Sequence, residues 1–201
     1  MKTLIKRFII IVAVITAGLT QVFSQPVYKV DQSKSNLLIN GTSTVHDWTM
    51  EVDNFKCEFT MDLNNQKVEN ISGVTFSVAV KDLKSESDLM DKKARDALKA
   101  AKSPMITFTQ ILPATLTTSA SGTVSGKVTG NLSIAGKVKK VDINFSGKIV
   151  DDKLFVTGKL PVKMSEFDIE PPVAMLGVLK TGDAVTLEYS FEFVPGMTSN
   201  K

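Results

Sequence analysis

Apolar and polar residues alternate with period two along most of this chain, and that alternation predicts β-strands with one buried face. In the last strand Val185, Leu187, Tyr189, Phe191 and Phe193 share one face, while Thr186, Glu188, Ser190 and Glu192 share the other. Over 140–149, Val141, Ile143, Phe145 and Ile149 alternate with Lys140, Asp142, Asn144, Ser146 and Lys148. Asp151-Asp152 then offers a two-residue turn tolerant of positive φ, followed by the inner set Leu154, Val156, Leu160 and Val162. Earlier strands follow the same rule. Phe55, Cys57, Phe59, Met61 and Leu63 form one face, Val74, Phe76, Val78 and Val80 another, and Val124, Val128, Leu132 and Ile134 a third. Weaker strands fit near 28–32, 36–46, 48–53, 105–112 and 114–119, with turns at Asn64-Asn65, Ser121-Gly122 and Ala135-Gly136.

Two segments break the alternation. Met90, Ala94, Ala97, Leu98 and Ala101 recur at helical spacing, which predicts one amphipathic helix over about 87–102, with Ser87 as its cap and Ser103-Pro104 as its end. The stretch Lys163–Asp183 is apolar yet holds Pro171-Pro172, Gly177 and Gly182, so neither a regular strand nor one long helix fits it. An apolar, irregular connector of this kind is expected to fold over one end of a β-structure, as the mouth of a hydrophobic cavity.

Eight or so one-sided antiparallel strands bury a shared face either as a sandwich or as a closed barrel. The long segments 138–150 and 153–162 favour a coiled, closing sheet. The fold class expected is all-β, a single antiparallel barrel of about eight strands with one short amphipathic helix. An outer-membrane barrel alternates too, but the helix, the long insert and the absence of aromatic girdles oppose it.

The ends and the charge narrow the function. Lys2, Lys6 and Arg7, followed by the apolar run Phe8–Ala17 and the small residues before Gln25, form an export signal. The expected organisation is a signal peptide over 1–24 and one domain over 25–201. The apolar run is shorter than the roughly 20 residues of a spanning helix, so no stable membrane insertion is expected. The whole chain carries a net charge of +3, and the leader holds three basic and no acidic residues. The mature chain is therefore neutral, and a nucleic-acid role loses its electrostatic basis.

Catalytic and metal chemistry find little support. Cys57 is the one cysteine and His46 the one histidine. Cys57 shares its face with Phe55, Phe59 and Met61 and is expected in the core. His46 and Asp47 are neighbours on what should be opposite faces, a poor dyad, and His46 is expected to serve a turn. A nitrogen/sulfur metal site has too few ligands. Lys180-Thr181-Gly182 matches one β-lactamase motif, but the Ser-x-x-Lys and Ser-Asp-Asn elements that must accompany it are missing. No catalytic residue, metal or cofactor is expected, and the protein is not expected to be an enzyme.

The ordered motifs resemble a known family. They are Tyr28–Ser35 (YKVDQSKS), Gly41–Trp48 (GTSTVHDW), Val80–Ser85 (VKDLKS) with Met90-Asp91-Lys92, Ala97–Phe108 (ALKAAKSPMITF), Val128–Lys137 (VTGNLSIAGK) and Lys163–Ile169 (KMSEFDI). In order and spacing the chain resembles the YceI-like proteins, exported lipocalin-like barrels. The segment Asp168–Leu176 departs from the better-known branch and resembles a divergent, Bacteroidetes-type one. The resemblance implies a long hydrophobic tunnel and a long-chain apolar, isoprenoid-type lipid as partner, in the periplasm or outside the cell; family members are sometimes homodimers. The expected ligand-binding residues are Phe59, Phe76, Phe108, Phe145 and Tyr189 facing inward, Trp48 as an end plug or ligand contact, and Met164, Phe167, Met175 and Leu176 at the mouth. The alternative is a non-enzymatic structural or stress-related envelope protein whose barrel is filled by these same side chains.

Overall fold

A computed structural model describes residues 26–65, 67–119, 122–174 and 178–196. The expected leader, Met175 and Leu176 lie outside the described residues. The strands are β1 (Val27–Val30), β2 (Asn36–Ser43), β3 (Trp48–Val52), β4 (Phe55–Asn64), β5 (Lys67–Ala79), β6 (Leu83–Lys84), β7 (Met105–Gln110), β8 (Thr115–Thr118), β9 (Thr123–Ile134), β10 (Lys137–Val150), β11 (Lys153–Lys163), β12 (Val173–Ala174) and β13 (Leu179–Pro195). One helix, α1 (Asp88–Ala97), lies between β6 and β7.

The main sheet runs β1-β4-β5-β7-β9-β10-β11-β13, and β1 pairs again with β13, so eight strand positions close into an antiparallel barrel. Four positions are each shared by two strands in succession, one of them by β7 and β8 along β9. β2 continues β1 along β13, β3 precedes β4, and β6 follows β5. Apolar faces point inward. The outward face carries charge pairs such as Lys127–Asp142 and Lys159–Glu188, the reverse of the apolar belt a lipid-spanning barrel presents.

Where a strand position breaks, a glutamine side chain stands in for the ladder. Between β1 and β2 the chain makes a 3-10 turn, Gln32–Lys34. There the Gln32 amide donates to the Phe55 carbonyl and accepts from the Phe55 N–H at 3.3 Å. Between β7 and β8 the Gln110 amide accepts from the Val74 N–H at 3.0 Å and donates to the Ile71 carbonyl at 3.3 Å. Such side chains satisfy backbone groups that would otherwise be lost where the pairing stops.

Several sequence expectations hold. Asp151 and Asp152 both adopt positive φ (49° and 60°), as do Ala135 and Gly136 (51° and 83°), and Ser87 accepts the Met90 N–H as the helix cap. Three expectations need correction. The helix stops at Ala97 rather than near 102, because Lys99 turns left-handed at φ 56° and the Ala100 N–H reaches back to the Arg95 carbonyl. β5 begins at Lys67, seven residues before Val74. Its first half was hidden because register shifts opposite Glu58–Thr60 and Asp62–Leu63, with Gly73 at φ 67°, change the phase of alternation twice. The final strand begins at Leu179, so the irregular insert is shorter than Lys163–Asp183 and includes a 3-10 turn, Met164–Phe167, and the two-residue β12.

The two ends differ. At the end bearing the β4–β5 and β10–β11 turns, Met61, Val68, Val124 and Leu154 are almost wholly buried. Tyr28 stacks on Phe59 at 5.7 Å, and Phe59 meets Phe193 edge-on at 4.8 Å. The opposite end is roofed by α1 and the 164–173 segment.

Candidate ligand-binding cavity

A cavity of about 510 Å³ occupies the barrel between that packed floor and the roof. Its walls are almost entirely carbon. Phe59, Ile71, Leu154 and Phe193 form the floor; Ile39, Val74, Ile143, Leu160 and Leu187 line the sides; Met90, Ala94 and Ala97 of α1, with its C-cap Leu98, cover it. The side positions are only half-buried although they face inward, because they border open space rather than one another. The volume lies within the usual ligand-pocket range of about 300–1,000 Å³.

Aromatic rings would fill this space if they pointed across it, and glycines keep them against the wall. Phe145 pairs across the ladder with Gly126, Tyr189 with Gly158 and Trp48 with Gly41. A Cβ at Gly126 would come within 2.7 Å of the Phe145 ring, one at Gly158 within 2.1 Å of the Tyr189 hydroxyl, and one at Gly41 within 2.1 Å of the Trp48 indole. Gly130 leaves room for Phe108 in the same way, at 2.3 Å. Each ring therefore lies over a neighbouring strand's bare backbone. Two further bonds fix the direction: Trp48 Nε1 donates to the Thr42 carbonyl at 3.0 Å, and the Tyr189 hydroxyl donates to the Asn144 carbonyl at 2.8 Å. Burial, aided by the neighbouring Cys57, pushes the Tyr189 hydroxyl above its ordinary range, so it remains a donor at neutral pH.

Eight of the ten residues expected from the sequence line this one cavity: Trp48, Phe59, Phe76, Phe108, Phe145, Met164, Phe167 and Tyr189. Met175 and Leu176 lie outside the described residues. Trp48 lies at the open end as a wall panel. Phe167, expected at the mouth, is instead only 1% exposed. The β10–β11 ladder ends at Ser146–Thr157, and the 3-10 turn carrying Phe167 packs against β10, β11 and β13 where those two strands part. Phe167 thus closes the wall from within. Cys57 also lines the cavity, and burial, with a smaller push from Glu58, raises its pKa to about 12.

The roof is tied down by polar contacts. Asp91 is buried and accepts from the Ser85 N–H and hydroxyl, both at 2.8 Å, anchoring α1 to the end of β6. Lys93 donates to the Val173 carbonyl (2.8 Å) and Lys99 to the Asp168 carbonyl (2.9 Å), while Lys137 pairs with the Asp168 carboxylate (2.9 Å). Asp183 accepts the Ser165 N–H (2.8 Å) and hydroxyl (2.7 Å). His46 serves the β2–β3 turn: Ser43 bonds both its carbonyl and its N–H, and its Nδ1 lies 2.7 Å from the Asp47 backbone carbonyl. That contact is to the backbone, not to the carboxylate a catalytic dyad needs. Among the described residues no group of three or more metal-ligating side chains forms a metal site.

Residues 28–193 match the YceI-like domain. The chain belongs to the YceI-like family. No curated protein matches it. Solved structures share the YceI-like fold at low identity. Burkholderia cenocepacia BcnA is 16% identical, covering 81% of this chain and 98% of its own, with a TM-score of 0.64. A polyisoprenoid binding domain from Saccharophagus degradans, implicated in plant cell wall breakdown, is 12% identical over 86% of this chain and 100% of its own, with a TM-score of 0.62. The Campylobacter jejuni YCEI protein is 18% identical over 74% of this chain and 85% of its own, with a TM-score of 0.57.

Proposed function

We propose that this YceI-like protein is an exported, non-catalytic carrier that holds a long apolar lipid, isoprenoid-type, in its barrel. The observation that carries the reading is the carbon-lined cavity kept open by rings laid over glycines. An isoprenoid tail asks for no hydrogen bonds along its length. It gains about 0.8 kcal/mol for each methylene-sized unit moved from water into such a space. Family membership supports the reading, as does the structural neighbour described as a polyisoprenoid binding domain. The leader-like start of the chain supports a periplasmic or secreted location, and among the described residues no helix is long and apolar enough to cross a membrane.

The test is competition binding. An apolar fluorophore whose emission rises in a dry site is added to delipidated protein and displaced with prenols of increasing length. A carrier shows saturable, one-to-one displacement that strengthens with tail length. A fluorophore that does not bind, or is not displaced by any prenol, contradicts the reading and favours a purely structural barrel.

A further inference from the structure

Apolar side chains that water reaches are not spread evenly over this molecule. Among the described residues the most exposed large ones are Val178, Val45, Leu89, Val138 and Val173, from 53% to 72% exposed. All of them stand at the end that opens into the cavity. At the packed end Val27 and Val150 reach only 38% and 40%.

Backbone contacts hold most of this set in one group. The Thr44 hydroxyl, next to Val45 in the β2–β3 turn, donates to the Val178 carbonyl at 3.1 Å, and the Thr44 N–H donates to the Lys180 carbonyl at 3.0 Å. Lys180 pairs with Val173 in the β12–β13 ladder. Lys93 donates to the Val173 carbonyl at 2.8 Å, and Leu89 lies one helical turn before Lys93 on the same side of α1. Val138 stands across the roof, beside the β9–β10 turn, where a Cβ on Gly136 would come within 3.0 Å of the Ser103 hydroxyl that follows α1. Each side chain thus belongs to a different element. They make no single flat patch of the kind a protein partner covers with matched packing. A soft surface takes up separate side chains one by one.

Positive charge gathers on the Val138 side. Lys99 holds the Asp168 carbonyl and Lys137 the Asp168 carboxylate, each at 2.9 Å. Lys102 and Lys139 belong to the same edge and make no salt bridge among the described residues. The opposite side of the rim carries Asp47, Asp88 and Glu170, close in sequence to Val45, Leu89 and Val173.

We propose that the open end docks, reversibly and without a spanning segment, on an anionic phospholipid surface. The exposed apolar side chains enter the interface, and Lys102 and Lys139 meet lipid phosphates. Apolar side chains immersed beside amines are how a protein holds to such a surface from outside. The docked cavity faces the bilayer, so an apolar tail passes between the two without crossing water. The dock stands on the surface residues; the carrier reading supplies only what passes.

Co-sedimentation with vesicles tests this, using phosphatidylcholine alone and phosphatidylcholine mixed in equal parts with phosphatidylglycerol. The wild type should bind the mixed vesicles about fivefold or more tightly, the scale of one lysine near an anionic surface. The difference should narrow as salt rises. Lys102→Gln combined with Lys139→Gln should remove it. Val45→Asp combined with Val178→Asp should weaken binding to mixed vesicles by about tenfold or more, since each valine leaves an apolar site. That variant should keep wild-type displacement of an apolar fluorophore by prenol in solution, which shows that its barrel is folded. Val150→Asp, at the packed end, should bind vesicles as the wild type does. Absence of wild-type binding, equal binding to both vesicles, or equal losses in Val150→Asp and the Val45, Val178 variant would overturn the dock. So would a wild-type dimer in light scattering that the Val45, Val178 variant splits, which would make this end a contact between two copies. A protein that binds prenols but no vesicle loses the dock alone; one that binds vesicles but no prenol keeps the dock and loses the carrier.

Discussion

The Tyr189 hydroxyl on β13 reaches across β11 at Gly158 to donate to the Asn144 carbonyl on β10, at 2.8 Å. The β10–β11 ladder has ended two residues away, at Ser146–Thr157, so the carbonyl lies beyond the paired stretch. One phenol thereby satisfies a backbone group, ties β13 to β10 where β10 and β11 part, and keeps its own ring out of the lumen. Gly158→Ala should destabilise the barrel by about 1–3 kcal/mol, the usual cost of overpacking, read as a fall in Tm of about 2–4 °C per kcal/mol for a chain of this size. Tyr189→Phe keeps the ring and removes the bond, so it should lower Tm while leaving lipid capacity near wild type. Equal stability of all three proteins would remove the bridge from the account.

Gly126 tests the hollow interior from the other side. A valine there cannot coexist with the Phe145 ring, which already lies where a Cβ would be. The ring must swing inward, into the space a tail would use. Gly126→Val should reduce bound prenol several-fold even when circular dichroism shows an intact sheet. The double variant Gly126→Val, Phe145→Ala should recover binding by clearing the lumen. Unchanged binding in Gly126→Val would mean that the ring does not border the ligand.

Cys57 reports on cavity occupancy. Burial holds its pKa at about 12, and the thiolate is the reactive form. Its reaction with a small apolar thiol reagent should rise about tenfold per pH unit between about pH 7 and pH 10 without levelling off, since the thiolate fraction grows that way below the pKa. A bound prenol should slow it at every pH. A plateau near pH 8.5 would indicate an ordinary exposed thiol, and absence of protection would place the tail elsewhere.

Acid should loosen the roof before the floor. Desolvation acts to raise the Asp91 carboxyl, but the Ser85 hydrogen bonds and the Lys84 ammonium outweigh it and hold the pKa below the ordinary value. Lys137 lowers Asp168, chiefly through their hydrogen bond, and the Ser165 hydroxyl and N–H lower Asp183. Because these folded-state values lie below the unfolded ones, the stabilisation is fully present above the unfolded value, about 3.9. It is lost as pH falls through the folded values. Hydrogen exchange of α1 and residues 164–173 should therefore accelerate below about pH 4 while β4 and β9 stay protected. Asp91→Asn should reproduce the loosening of α1 at neutral pH, costing about 1–3 kcal/mol. Uniform acid unfolding of floor and roof would contradict this.

The alternation of β4, β9, β10, β11 and β13 could be read directly because each strand keeps one phase along its length. That was enough for the barrel and for which aromatics face inward. It could not show whether those aromatics fill the barrel or line it. The answer depends on which residue stands opposite each ring: Phe145 over Gly126 and Tyr189 over Gly158 are facts of register, and register depends on the whole sheet. The first half of β5 was lost to two phase shifts, and the end of α1 to a left-handed lysine. The sequence places Phe167 at the mouth because it sits in an irregular apolar segment. Its near-complete burial in the gap between β10 and β11 instead makes Phe167→Asp a change that should unfold this corner rather than merely open the mouth.

The most direct measurement is native mass spectrometry of the protein purified from its own compartment, followed by organic extraction and mass analysis of whatever it carries. A hollow barrel with a carbon-lined cavity should yield one single-tailed lipid per chain, lost on extraction and restored when the protein is reloaded. A protein recovered at its bare mass, and still at that mass after incubation with prenols and their phosphates, would contradict the carrier.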